Sequence, residues 1–216
     1  MGIAISKAGF SGNTTFNVIR RNEKAPLSWK VKNNLRPAYI SGWIAKHAAK
    51  TLTKFLPITV ITSELAIRKL DYSRGIWVDY GVVGRKVVTR LGAELICDSF
   101  QGLSSNSDFY YHGLGTESTA EDVSDVLLAS EFTTAYLTDS ERATGTQVEQ
   151  AASPQVYETV ATNTVDATSS AFEHGIFNEN GAGAGSLLDR TVFGEIALGA
   201  SDAIQSTYRL TVQAGG

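Results

Sequence analysis

Along this chain the spacing of apolar residues changes near residue 57. In "SGWIAKHAAKTLTKFLP", Ile44, Ala48 and Leu52 fall four residues apart with Phe55 nearby, and Lys46, Lys50 and Lys54 form a second row at the same spacing. Residues four apart share one face of a helix. The pattern therefore predicts an amphipathic basic helix, capped by Ser41 and stopped by Pro57. Beyond it the period shortens to that of strands. "ITVITS" is β-branched and bounded by turn residues, and "GIWVDYGVVGRKVVT" reads as two short strands with Gly81 and Gly84 bracketing the turn. Helical spacing returns once, over Arg90–Phe100, where Thr89 is a cap, Leu91, Leu95 and Phe100 can share a buried side, and Cys97 lies close to it. Then come an aromatic strand, "DFYYHGLGT", and the segments "GTQVEQ", "QVYETVATNTV", "SAFEHGIF", "LLDRTVFGEIAL" and "DAIQSTYRLTVQ" at roughly even spacing. "QSTYRLTV" alternates with the period of two that a half-buried strand requires. "NENGAGAGS" reads as a hairpin loop. Short strands at such intervals point to a sandwich or barrel.

The expected fold is mainly β: an antiparallel, jelly-roll-like β-sandwich with one short helix, plus an extended N-terminal arm containing an amphipathic helix. The arm is assigned to residues 1–57 and the body to residues 58–216. Gly2, Gly9, Gly12, Pro26 and Pro37 punctuate the first forty residues. Phe10, Phe16, Val18, Ile19 and Trp29 are nonetheless too many apolar groups for a tail that stays free, so the arm is expected to order against something.

Charge sharpens this division. Residues 1–60 hold ten Lys/Arg and one Asp/Glu, residues 61–90 six and three, and residues 91–216 three and eighteen. A net charge of −3 thus conceals a basic front and an acidic back, a distribution that suggests an arm with a partner of its own. The candidate partner-binding residues are Phe16, Trp29, Tyr39, Trp43, Lys46, Lys50, Lys54 and Phe55. Three readings stand for the basic helix: packing on its own domain, contact with a partner protein or nucleic acid, and contact with a membrane surface. An acidic body opposes a phosphate backbone at short range, which favours an acidic protein neighbour over nucleic acid. The single cysteine excludes an intrachain disulfide. No apolar run approaches the length of a membrane-spanning helix, and "MGIAISKAGF" lacks the continuous apolar core of a secretory signal.

Candidate chemistry is sparse. His47, His112 and His174 with Cys97 make no zinc-ligand spacing, and there is no G-x-S-x-G nucleophile motif. Glu117, Glu121, Asp122, Asp125 and Glu131 lack the pattern of a calcium loop; their spacing reads as a solvated face in a short helical-turn rhythm. "GAGAGS" carries no lysine and precedes a strand, unlike a phosphate-binding loop. No catalytic, cofactor-binding or metal-binding residue is expected.

Five stretches carry a family resemblance: "VDYGVVGRKVVTRLGAELICDSFQG", "FYYHGLGTESTAEDVSDVLLASEFTT", "RATGTQVEQAASPQVYETVATNTVDA", "EHGIFNENGAGAGSLLDRTVF" and "DAIQSTYRLTVQAGG". In them residues 78–216 resemble virion structural proteins of tailed bacteriophages. A G-x-G-T segment followed by alternating Thr/Ala and acids, then a later L-L-D-R-x-V-F, is similar to that family's layout. The resemblance implies a non-enzymatic virion protein, assembled in the host cytoplasm. Within the virion it implies a capsid decoration (cement) protein anchored by its arm, with a neck or tail component as the alternative. The implied partners are other virion proteins and further copies of the chain, a trimer being the leading arrangement. From another class, a nucleic-acid-binding protein using the basic arm is the rival.

Overall fold

The computed structural model describes residues 22–56, 58–86, 88–103, 109–149, 153 and 155–213. The elements in chain order are β1 (Asn22–Lys24), α1 (Leu27–Asn34), α2 (Pro37–Leu52), β2 (Val60–Asp71), β3 (Ile76–Lys86), α3 (Arg90–Phe100) and β4 (Tyr111–Gly115). They continue with β5 (Ala143–Thr144), β6 (Thr146–Glu149), β7 (Val156–Thr164), β8 (Ser169–Phe177), β9 (Leu187–Leu198) and β10 (Ala203–Gln213). One sheet has the order β1-β3-β2-β10-β7-β6 and the other β5-β4-β8-β9. Every pairing is antiparallel except that of β1 with β3. The chain is mainly β, and its two sheets form a sandwich. β2 and β10, far apart in sequence, pair along their whole length from Ala203↔Leu70 to Gln213↔Val60.

Period-two alternation explains what fills the interior. Leu65 and Ile67 of β2, Val83 of β3 and Ile204 of β10 meet Leu114 of β4 and Phe193, Ile196 and Leu198 of β9 in one buried cluster, which Phe132, Tyr136 and Val165 close from the loops. Each such side chain contributes about 1.5–3 kcal/mol on leaving water.

The structure departs from the sequence reading in several places. "GIWVDYGVVGRKVVT" forms one strand, not two. Register shifts in the β2–β3 pairing, between Leu65/Ala66 and Ile67/Arg68, absorb the irregularity, and Gly81 takes a φ of +71° there. The true hairpin turn lies earlier, between Asp71 and Ile76. α2 begins at Pro37 rather than Ser41, because proline suits the first helical position, where its missing N–H has no intrahelical partner. α1 interrupts what was read as an extended arm. α3 has the expected bounds, and the Thr89 hydroxyl accepts the Gly92 N–H at 2.9 Å. Its buried side is different: Leu95 and Ile96 pack on the core, while Phe100 and Cys97 are exposed.

Among the described residues, the open edge of β9 is protected by side chains rather than by another strand. Thr89 Oγ1 donates to the Leu187 and Leu188 carbonyls, Glu121 Oε1 accepts Val192 N–H, Asn33 Oδ1 accepts Gly194 N–H, and Arg36 donates to the Phe193 carbonyl. Trp29 Nε1 donates to the Glu195 carbonyl at 2.6 Å. Capping of this kind blocks strand-to-strand aggregation. It also fixes the helical segment, since three of the caps come from residues 29–36.

Candidate partner-binding surface

α2 lies along β3 with an unusual choice of inner face. Gly42 touches backbone: a Cβ there would stand 1.6 Å from the Arg85 carbonyl oxygen, so only glycine allows this approach. Beside it Lys46 Nζ meets Glu64 Oε2 at 2.8 Å, and Tyr39 OH accepts from Arg85 Nη1 at 2.7 Å. Arg85 Nε reaches the same Glu64 oxygen at 3.2 Å. Burial would raise the Glu64 pKa, but its hydrogen bond to Lys46 and the charges of Lys46, Arg85 and Arg209 outweigh burial and hold the carboxyl below its usual range. The inner contacts made by Tyr39, Gly42 and Lys46 are thus backbone and polar, and the large apolar side chains face solvent. Trp43 is 48% exposed, Ile44 54%, Leu52 46% and Phe55, in the following turn, 78%.

The eight candidate residues separate into three groups. Phe16 lies outside the described residues. Trp29, Tyr39 and Lys46 are occupied within the chain: Trp29 stacks edge-on with Tyr80 at 4.6 Å and packs against the main core, and the other two hold the Glu64–Arg85 cluster. Trp43, Lys50, Lys54 and Phe55 remain exposed. The division drawn at residue 57 is therefore not where the packing divides, because Trp29, Asn33 and Arg36 are parts of the body. Trp29→Ala is expected to cost about 2 kcal/mol, somewhat less than a fully buried tryptophan, as a lowered urea midpoint in equilibrium unfolding. The sequence reading missed Leu27, Val31 and Leu35, a second exposed apolar row on and after α1 whose four-residue spacing was there to be seen. It also missed exposed Val123, Val126 and Leu127.

Two candidate chemistries resolve into structure. Among the described residues, His112 and His174 make no metal site but a buried pair. They face each other inside the sandwich from β4 and β8, with His112 Nδ1 3.0 Å from His174 Nε2 and His112 Nε2 3.2 Å from Thr159 Oγ1. Both are completely buried, so desolvation pushes the His112 pKa far down, with His174 adding to it, and the His174 pKa down to about 3. One proton shared between the facing nitrogens satisfies a neutral pair.

The acidic segment is not helical, and three of its carboxylates are engaged by groups of the fold. Glu121 caps β9, Asp125 Oδ2 meets Arg190 Nη1 at 2.9 Å, and Glu131 grips buried Arg142 through both oxygens at 2.5 and 2.8 Å. Only Glu117 and Asp122 turn outward. Each accepts nearby backbone and side-chain donors, from Ser118 and Thr119 and from Ser124 respectively, and these hold both carboxyls below their usual pKa. In "GAGAGS", Gly183 N–H donates to Glu131 Oε2, so the loop is fastened to that same ion pair. Among the described residues no group of three His, Cys, Asp or Glu side chains is placed to hold a metal ion, and no helix is long and apolar enough to cross a membrane.

What the arrangement offers is a surface: an apolar, lysine-edged helix face on a body whose interior charges are already paired. No family model, curated protein or solved structure matches this chain.

Proposed function

We propose that the protein is a non-enzymatic bacteriophage virion structural protein, a capsid decoration (cement) protein joined to its neighbours through the N-terminal segment and α1–α2. The observation that carries this reading is the outward placement of Trp43, Ile44, Leu52 and Phe55 beside Lys50 and Lys54. An apolar patch of that kind is stable in water only at a cost and marks an interaction site. The sequence resemblance of residues 78–216 supplies the virion context, and a β-sandwich whose buried arginines Arg142 and Arg190 are paired with carboxylates suits a building block. The same surface would serve a neck or tail protein, and copy number separates the two. Exposed Lys50 and Lys54 beside Trp43 also favour nucleic acid as a second reading. Against that reading, Lys46 is committed to Glu64, and Asp122 lies beside the helix.

The test is to locate the chain in purified particles by cryo-electron microscopy and to count copies by mass spectrometry. Hundreds of copies at icosahedral positions are expected; six or twelve at one vertex would assign the protein to the neck or tail, and absence from particles would overturn the virion reading. Trp43→Glu with Phe55→Glu should lower incorporation more than about tenfold, since each buried apolar side chain contributes about 1.5–3 kcal/mol. Both residues are exposed, so the melting temperature should stay unchanged.

A further inference from the structure

The α2 surface has a charge layout that selects its occupant. An α-helix turns 3.6 residues per turn. With Gly42 directed at β3, residues Ile40, Ile44 and Thr51 point outward. Lys50 and Trp43 fall on one flank, with Lys54 continuing that side in the next turn, and Ala48 and Leu52 fall on the other. The second flank is the one beside the acidic segment: Ser41, Gly42 and Ala45 share a cavity of about 220 Å³ with Asp122 and Val123. Across the surface the order is therefore acidic flank, apolar strip, lysine flank. No carboxylate occurs between Glu23 and Glu64, so α2 itself supplies nothing to neutralise its lysines, and Glu64 of β2 is already met by Lys46.

We propose that this strip is where copies of the chain join, α2 packing parallel to α2 of a second copy about a rotation axis that runs along the helices. Symmetry decides the orientation. An axis perpendicular to the helices would set them antiparallel and place lysine flank on lysine flank and Asp122 on Asp122. An axis parallel to them places the Lys50–Lys54 flank of each copy on the Asp122–Val123 flank of the next, and joins the apolar strips in the middle. That match holds for a pair and for any closed ring, because each copy presents both halves of the contact. Exposed Val123 on the acidic side adds apolar area to each junction. The inference deepens the proposed role of this surface by naming the occupant. It does not depend on the virion context.

The experiment uses the full chain with Cys97→Ser, which removes the one native thiol. Thr51→Cys and Ile40→Cys are introduced separately, and the chains are oxidised at tens of micromolar protein. About sixteen ångströms of helix separate the two positions at 1.5 Å per residue. Parallel packing therefore cross-links each variant with itself. Antiparallel packing cross-links neither well alone but joins the two when mixed. Light scattering should show an oligomer that Lys50→Glu with Lys54→Glu weakens more than tenfold and that adding Asp122→Lys to those changes restores. All of these side chains are exposed, so circular dichroism should be unchanged throughout. A monomer at all concentrations, or cross-linking only in the mixture, overturns the proposal. A chain found in particles without self-cross-linking keeps the virion reading and discards this one; a cross-linked oligomer absent from particles does the reverse.

Discussion

Between pH 6.5 and 4.5 the protein is expected to lose about 5 kcal/mol of folding stability, because two buried histidines each bind a proton on unfolding at about 1.4 kcal/mol per pH unit. Both His112 and His174 have pKa values depressed in the fold, the second to about 3. Above pH 6.5 folded and unfolded states are both neutral at these positions, and the full stability is present. Below it the unfolded chain takes up protons that the folded pair refuses, so stability falls as the pH moves from 6.5 toward the folded values. Carboxylates held low by the fold, such as Glu64 and Asp71, add to the loss only below their ordinary range near pH 4. The histidine slope is therefore visible alone between pH 6.5 and about 5. Urea unfolding at half-unit intervals measures it. About 2.7 kcal/mol per pH unit is expected for two protons, and a His174→Leu chain should show half that slope even though its stability at pH 7 is lower. A wild-type slope under about 1 kcal/mol per unit would mean that the pair is charged or hydrated in the fold. Against a total stability of about 5–15 kcal/mol, usual for a domain, this loss removes a third or more of what holds the chain folded.

The contrast between these histidines and α3 shows what the sequence made legible. The α3 signals are local: Thr89, the Gly92 N–H it caps and the Leu95–Ile96 side all lie within eight residues, and the helix was readable. The strands from β6 to β10 were readable from equally local signals, the period-two alternation of "QSTYRLTV" in β10 and, for the others, short β-rich segments at even spacing. β3 was not, because its two irregularities are tolerated only against β2, and a lone strand pattern with two glycines looks like a turn. α1 hid behind Pro26 and Asn33, yet Asn33 is the residue that bonds both Val83 O and Gly194 N–H, partners fifty and more residues away. The His112–His174 pair spans sixty-two residues and belongs to two strands whose pairing no spacing rule gives. For the candidate surface, the exposed part was legible as rows on a helix. Which row would face inward was not, because the usual rule buries the apolar one and here Gly42 and the Glu64 cluster take that place.

Replacing Arg190 should be the most damaging single change in the body, at about 3–5 kcal/mol, the usual cost of leaving a buried charge without its partner. Arg190 Nε meets Glu173 Oε2 at 2.7 Å, Nη1 meets Asp125 at 2.9 Å, and Nη2 donates to the Thr119 carbonyl at 3.2 Å. Glu173 is fully buried and also accepts the Ala129 and Ser130 N–H groups, so this guanidinium and carboxylate, bonded to each other, fasten the acidic segment to the sandwich at four points. Arg190→Met keeps most of the side-chain volume and removes the charge, leaving the Glu173 carboxyl without its partner in a dry site. The expected signature is a melting temperature lower by roughly 8–15 °C, from about 2–4 °C per kcal/mol at this chain length. Adding Glu173→Gln removes the stranded carboxyl, keeps one acceptor oxygen for the two N–H groups of Ala129 and Ser130, which bond different oxygens of Glu173, and should restore part of the loss; a double variant no better than Arg190→Met would mean that packing, not charge, sets the cost. Amide hydrogen exchange separates global from local effects. Protection should fall first in residues 116–131, and there even in the double variant, since Asp125 and Thr119 have still lost their donor. That segment carries Asp122 and Val123, one whole side of the surface at which copies are proposed to meet. Self-association should therefore weaken in Arg190→Met under conditions where the sandwich is still folded, which ties the acidic segment's internal ion pairs to its outward role.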